Sequence, residues 1–318
     1  MQNMENPAEK PLVSVIIPTY KRSDTLPRAL ESVLRSTWKS VEIIVVDDNN
    51  NGDEFRKKTE ALMSGYVTKY QNIIYLKHEV NKNGSAARNT GIRKASGKYI
   101  MFLDDDDEIL PLKIEKQVEY LESHDESWGA CYTSYSDYKN GKFFSRSAET
   151  SEGNLLINEL ARNLFVHAGS NLMVRHEVVT DLNGFDESFQ RNQDVEFLIR
   201  LLKKYKLGYA NVDGLIVHMH IGKMKLPFYT NTEHYLSRFR EDIDALEERD
   251  REAVYRMIGL QLIRYAIVKR NFGRISGFKK EYKVSNAEII RYMNFLALRV
   301  IKHKSCSYPM KHLYRKGK

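Results

Sequence analysis

Hydrophobic positions alternate between two periods over the first hundred residues. Leu12-Val13-Ser14-Val15-Ile16-Ile17 is a β-branched run closed by Pro18, the pattern of a buried strand. Leu26, Leu30, Val33 and Leu34 then recur at helical spacing, with Ser23 or Asp24 placed to cap that helix. Residues 41–46 and 73–76 read as two further strands, 85–95 as a helix of small residues, and 99–103 as a fourth strand. Strands and helices at these intervals predict a parallel sheet covered on both faces. Ligands of such sheets sit at the carboxyl ends of the strands. Here those ends carry Thr19-Tyr20, Asp47-Asp48 and Asp104 to Asp107.

Further along, a helix is expected over 111–123, a strand over 130–135, and a mobile polar loop or hairpin over 137–154. Short strands are expected at 171–174, 207–212 and 215–218, and an amphipathic helix at 194–205. From about Thr232 the pattern is helical. Apolar Leu260, Ile263, Ile267, Ile289, Ile290, Met293 and Leu296 interleave there with Arg264, Lys269, Arg270, Arg291 and Arg299. This divides the chain near 230, into 1–230 (halves 1–110 and 111–230) and a helical region, 231–318.

Charge sharpens that division. The net charge of +8 over 318 residues hides an asymmetry, since residues 251–318 hold 17 Lys and Arg against three acidic residues. Residues 1–250 hold 33 against 39, so an acidic body carries a basic tail. A tail of that sign suits an anionic surface, nucleic acid or the inner face of a membrane. Cys131 and Cys306 form no disulfide framework, residues 1–10 show no signal-peptide pattern, and no apolar run reaches membrane-spanning length. A reducing, cytoplasmic setting is expected, with any membrane contact made from the side.

Asp104 and Asp106 end a strand two positions apart and project to one side. Paired carboxylates repel unless a cation stands between them, and a hard divalent ion bridged to a diphosphate meets that need. A solvated acidic turn before the next helix is the plainer reading. The small residues of Asn83-Gly84-Ser85-Ala86-Ala87 open a helix to which a phosphate could come close, or which simply packs tightly on the sheet. Pro18, Thr19 and Tyr20 supply a hydroxyl and a ring suited to a nucleoside, and Asp47 an acceptor for a base edge.

Taken in order, Val13-Ser14-Val15-Ile16-Ile17-Pro18-Thr19-Tyr20, Ile43-Ile44-Val45-Val46-Asp47-Asp48, Asn83-Gly84-Ser85-Ala86-Ala87-Arg88-Asn89 and Phe102-Leu103-Asp104-Asp105-Asp106-Asp107 resemble the blocks of family-2 glycosyltransferases. Gly169 to Arg175, Gly184-Phe185-Asp186-Glu187 and Gln193 to Leu201 continue the resemblance, which covers roughly residues 12–220. It implies an α/β GT-A fold and an inverting transfer from a nucleoside-diphosphate sugar, UDP-linked by family habit, to a saccharide acceptor. Lipid-linked acceptors, surface polysaccharide synthesis and peripheral contact with the inner membrane face belong to the same implication. Carried over by position, Pro18, Thr19, Tyr20, Asp47, Asn83, Gly84, Asp104 and Asp105 hold the nucleotide. Asp106 and Asp104, with His220, hold Mn²⁺ or Mg²⁺. Asp194 is the base, with Glu196 a distant second. Gln193 stands where the family often has another carboxylate.

A base fits the chemistry, because one-step inversion needs a carboxylate to take the acceptor proton. Asp194 could equally be a helix N-cap. His218 and His167 are weaker candidates at the site. The tail also offers a dimerisation surface. Competing readings are a silent nucleotide-sugar-binding module, a nucleotidyltransferase, and a nucleic-acid binder, which leaves the acidic cluster unexplained; no nucleic-acid partner is expected.

Overall fold

The computed structural model describes residues 10–189, 192–219 and 228–314. Its first part runs β1 (Val13–Thr19), α1 (Leu26–Leu34), β2 (Val41–Asp47), α2 (Glu54–Lys69), β3 (Ile73–Lys77), α3 (Gly84–Lys94) and β4 (Tyr99–Phe102). β1 lies between β2 and β4, with β3 outside β2, and all four strands are parallel. The chain therefore reverses its winding between β1 and β4, which opens a crevice at their carboxyl ends. The sheet is buried on both faces: Val13, Val15 and Ile17 belong to one core and Ile16 to the other.

α3 lies close on β1, since a Cβ added at Gly91 would come 2.4 Å from Ile16 Cγ2. That approach brings the first turn of α3 to the crevice. The expected cap of α1 is not made: the helix follows Thr25 with Pro27 in its first turn, and neither Ser23 nor Asp24 caps it. α2 has no counterpart in the periodicity because it buries only Arg56, Thr59 and Met63, leaving no apolar stripe to read.

The second part runs β5 (Glu108–Ile109), α4 (Lys113–Glu122), β6 (Trp128–Lys139), β7 (Lys142–Ser147), α5 (Leu156–Leu160), α6 (Ala168–Asn171), β8 (Met173–Arg175), α7 (His176–Asp181), α8 (Gln193–Leu202) and β9 (Lys206–Met219). β8 joins the halves, antiparallel to both β4 and β6. The polar stretch after 137 is a hairpin turned by Asn140 and Gly141, both at positive φ, as an Asn-Gly turn between strands favours. The two short strands expected after 206 are one, β9, which follows β6 through register shifts. Gly214 allows this, because a Cβ there would meet Thr133 Oγ1 at 2.2 Å.

The tail forms α9 (Phe228–Asp244), α10 (Glu248–Val268), α11 (Ile275–Glu281), α12 (Asn286–Ile301) and β10 (Lys304–Ser305). Tyr235, Phe239, Ile258, Ile263 and Tyr308 share one core with Leu160, Ala161 and Ile199 of the body. β10 extends the sheet, parallel to β7. Among the described residues no helix is long and apolar enough to cross a membrane.

Candidate active site

The crevice between β1 and β4 is a cleft of about 330 Å³ lined by Pro18, Thr19, Tyr20, Arg22, Asp48, Asn83, Gly84, Arg88, Asp104 and Asp105, among others. Seven of the eight residues assigned to the nucleotide meet here. Asp47 does not. It is wholly buried, and its carboxylate pairs with Arg56 at 3.1 Å and accepts from Tyr75 at 2.5 Å and twice from Asn49. Successive residues at a strand end face opposite ways, so the cleft receives Asp48 instead. Asp48 accepts from His78 (2.7 Å), Lys82 N (2.9 Å), Asn81 (2.7 Å) and Asn83 N (3.0 Å), and so shapes the loop that leads into α3. A larger cavity, about 820 Å³, lies among α3, α7 and α8; Glu196 lines it, but none of the described residues assigned to the nucleotide or the metal does.

Asp104, Asp106 and Asp107 each offer an oxygen within 4.8 Å of the others. Hard oxygen donors at that spacing suit a divalent ion. Protein cations already offset part of the charge. Arg22 pairs with Asp105 at 3.2 Å and with Asp106, and Arg88 with Asp104 at 2.6 Å. His167 contacts Asp107 at 3.2 Å from a left-handed backbone (φ 54°), a conformation uncommon outside glycine. Burial would raise Asp107, but His167, Ser170 and the His218 backbone N–H together outweigh it and its carboxyl lies below the usual range. Asp105 is pushed up to about 7, chiefly by burial, against the pull of Thr19 and Arg22. His218 turns aside to Glu108 at 2.8 Å, while its N–H donates to Asp107. His220 lies outside the described residues.

Asp194 is not a cap. Asn192, at φ 56°, precedes α8 in that role, and no side-chain capping bond is made. The half-buried Asp194 carboxylate has no hydrogen-bond partner among the described residues. Gly169 explains how it comes close to the acidic cluster: a Cβ there would stand 3.1 Å from Asp104 Oδ2 and 4.0 Å from Asp194 Oδ2. Glu196 is unsuited to proton transfer, because it is buried in a two-pronged pair with Arg200, at 2.5 and 2.8 Å. Gln193 accepts from Arg88 at 3.1 Å, so one guanidinium ties α3, the end of β4 and the start of α8 together.

Sequence reasoning gave Arg88 no role, although its spacing of four from Gly84 places both on one face of α3. It also passed over Glu159, a buried carboxyl raised to about 8 by burial first and then by the charge of Asp194. The ordinary value is 4.5. Below pH 4.5 the group is protonated folded or unfolded. As pH rises from there through 8 the folded state holds a proton the unfolded chain has lost, so stability falls across that window and the cost is complete above it. Glu159→Gln should therefore raise the melting temperature more at pH 9 than at pH 5, by at least about 1 kcal/mol of stability. An equal gain at both pH values would contradict this.

The family model described as "Glycosyl transferase family 2" matches residues 14–182. An uncharacterized glycosyltransferase of Methanocaldococcus jannaschii is 32% identical over 245 residues, 73% of this chain and 76% of that protein. The Escherichia coli UDP-Glc:alpha-D-GlcNAc-diphosphoundecaprenol beta-1,3-glucosyltransferase WfaP is 35% identical over 133 residues, 42% of this chain and about half (48%) of WfaP. Among solved structures, S. aureus TarS 1-349 in complex with UDP-GlcNAc superposes with a TM-score of 0.61 at 19% identity, over 92% of this chain and 81% of that one. At that identity the likeness concerns the fold, the α/β GT-A architecture with a helical C-terminal region.

Proposed function

Because the chain belongs to glycosyl transferase family 2, we propose that it moves a sugar from a UDP-linked donor to a saccharide hydroxyl in one inverting displacement. The observation that carries this reading is the gap at Gly169, where the carboxylate ending the nucleotide cleft and that of Asp194, which has no hydrogen-bond partner among the described residues, both come within 4.0 Å of the position a Cβ would take. A transfer needs a leaving-group site and a base on two sides of one carbon. Two elements far apart in sequence supply them.

In this reading Tyr20 and the Asp48-bound loop take the nucleoside, and the first amides of α3, at Gly84, face the diphosphate. A divalent ion, Mn²⁺ or Mg²⁺, held by Asp104, Asp106 and Asp107 would supply positive charge where the diphosphate departs. Asp194 accepts the acceptor's proton as its oxygen forms the new bond to the anomeric carbon. The bond to UDP breaks on the opposite face, and its electrons leave on the diphosphate. Arg88 keeps Asp104 and α8 in register through this step.

UDP is favoured because the complex of TarS and the name of WfaP both carry it, and a lipid-linked acceptor because WfaP acts on a diphosphoundecaprenol sugar. Surface polysaccharide synthesis follows as the setting, with 1–230 as the transferase and 231–318 as its extension. Peripheral membrane contact belongs to the same reading. Val300 and Ile301 stand 74% and 73% exposed in the basic tail, and their replacement by Asp should reduce co-sedimentation with anionic vesicles.

Nucleotide binding is tested by melting. UDP with Mn²⁺ at a hundred times its Kd should stabilise the chain by about 2.7 kcal/mol, and ADP at the same concentration by much less. A chain indifferent to UDP would overturn the nucleotide assignment.

A further inference from the structure

A second cavity, about 510 Å³, lies where the tail meets the body, between α10, α12, the β7 edge and the loop after α5. Three guanidiniums line it: Arg162 from that loop, Arg264 from α10 and Arg299 from α12. Several arginines elsewhere are matched with carboxylates, among them Arg22, Arg56, Arg88, Arg200 and Arg238, and the buried Arg175 is matched with backbone carbonyls instead. These three have no ion pair among the described residues. Arg162 donates to Thr232 at 3.1 Å and Arg299 to Ser305 at 3.1 Å, both neutral partners. Arg264 Nε is buried with no hydrogen-bond partner. Asp137 is the one carboxylate among the described lining residues, and it accepts from Ser145 at 2.6 Å.

Two of the three guanidiniums lie over aromatic rings. Arg299 lies 4.4 Å from the Phe165 centroid, and Arg162 lies 5.5 Å from Phe228 and 5.1 Å from Tyr235. Stacking fixes the plane of a guanidinium and leaves its edge N–H groups free to bond. Arg162 also sits at φ 51°, a conformation that non-glycine residues adopt at a cost and that concentrates at functional sites. Three partly desolvated cations in one aromatic-lined cavity call for an anion, and planar forks of N–H donors match phosphate oxygens in pairs.

We infer that this cavity holds the phosphate-bearing part of the acceptor, so that the chain acts on an anionic saccharide carrying a phosphodiester or diphosphate. This rests on the transferase reading above and deepens it. Arg162 follows α5, whose Leu160 shares a core with Ile199 of α8, the helix that carries Asp194, and the cavity shares no lining residue with the nucleotide cleft, so it lies on the side of the base. It also gives two tail arginines a task at the acceptor, apart from any lipid surface.

The test measures binding of three probes to the full chain and to the R264Q/R299Q and R299Q variants. The probes are farnesyl-diphosphate-linked N-acetylglucosamine, a glycerol-phosphate oligomer, and neutral chitobiose. At least one anionic probe should bind tenfold or more tighter than chitobiose, and which one identifies the source as lipid-linked or polymeric. R264Q/R299Q should lose that binding by tenfold or more and R299Q by a smaller factor, while both variants still bind UDP at the other cleft. Chitobiose binding as tightly as both anions, or full anion affinity in the double variant, would overturn the inference. Failure of the wild-type chain to bind UDP would instead count against the nucleotide reading, which these arms leave separate.

Discussion

Asp194→Asn should lower transfer by about 10²–10⁴-fold, the usual contribution of a positioned general base, and change UDP affinity by less than about threefold. Asn keeps the shape and removes the proton acceptor. The prediction is sharp because the alternatives nearby are already occupied. Glu196 is locked to Arg200, Gln193 is an amide bonded to Arg88, and Glu159 is buried and raised to about 8. Nor does Asp194 cap α8, so its loss costs the helix no capping bond. Turnover undiminished in this variant, measured by UDP release with acceptor present, would remove Asp194 from the mechanism. A silent binding module would instead show no turnover in either protein.

Asp106→Ala is expected to have the next largest effect. Charge stabilisation at a departing diphosphate is worth several kcal/mol, and each 1.36 kcal/mol is tenfold in rate, so transfer should fall at least about 100-fold. The same variant should lose the extra thermal stabilisation that Mn²⁺ adds to UDP. Folding should suffer little, because Arg22 keeps Asp105 as a partner at 3.2 Å. If Mn²⁺ still enhances UDP binding in Asp106→Ala to the wild-type extent, the ion is not held by this cluster.

The strands that build the cleft could be read from sequence because each is a largely apolar run that stops at polar residues, as β1 does at Thr19 and β4 at Asp104, with Ser14 in β1 and Glu42 in β2 the polar exceptions near their starts. Which aspartate enters the cleft could not. Asp47 and Asp48 differ only in the side they face, and that depends on the tertiary partners Arg56 and Tyr75 that claim Asp47. α2 was illegible because its buried face is Arg56, Thr59 and Met63. Asp194 is singled out by its motif, but the feature that brings it near Asp104 is Gly169, whose meaning depends on what a Cβ would meet. Arg88 and Glu159 were missed for a similar reason. Gln193, which Arg88 bonds, and Asp194, whose charge acts on Glu159, lie far along the chain, and no local period reports such relations. The basic tail showed its charge plainly, yet only packing reveals that Arg264 and Arg299 face the body across a cavity.

The central claim is that the small cleft between β1 and β4, and not the larger cavity of about 820 Å³, takes the nucleotide. Hydrogen exchange with and without UDP and Mn²⁺ tests this most directly. Slowed exchange at residues 19–22, 81–88 and 103–107, with 176–187 unchanged, is the result this account predicts. Protection confined to 176–187, beside the larger cavity, would contradict it.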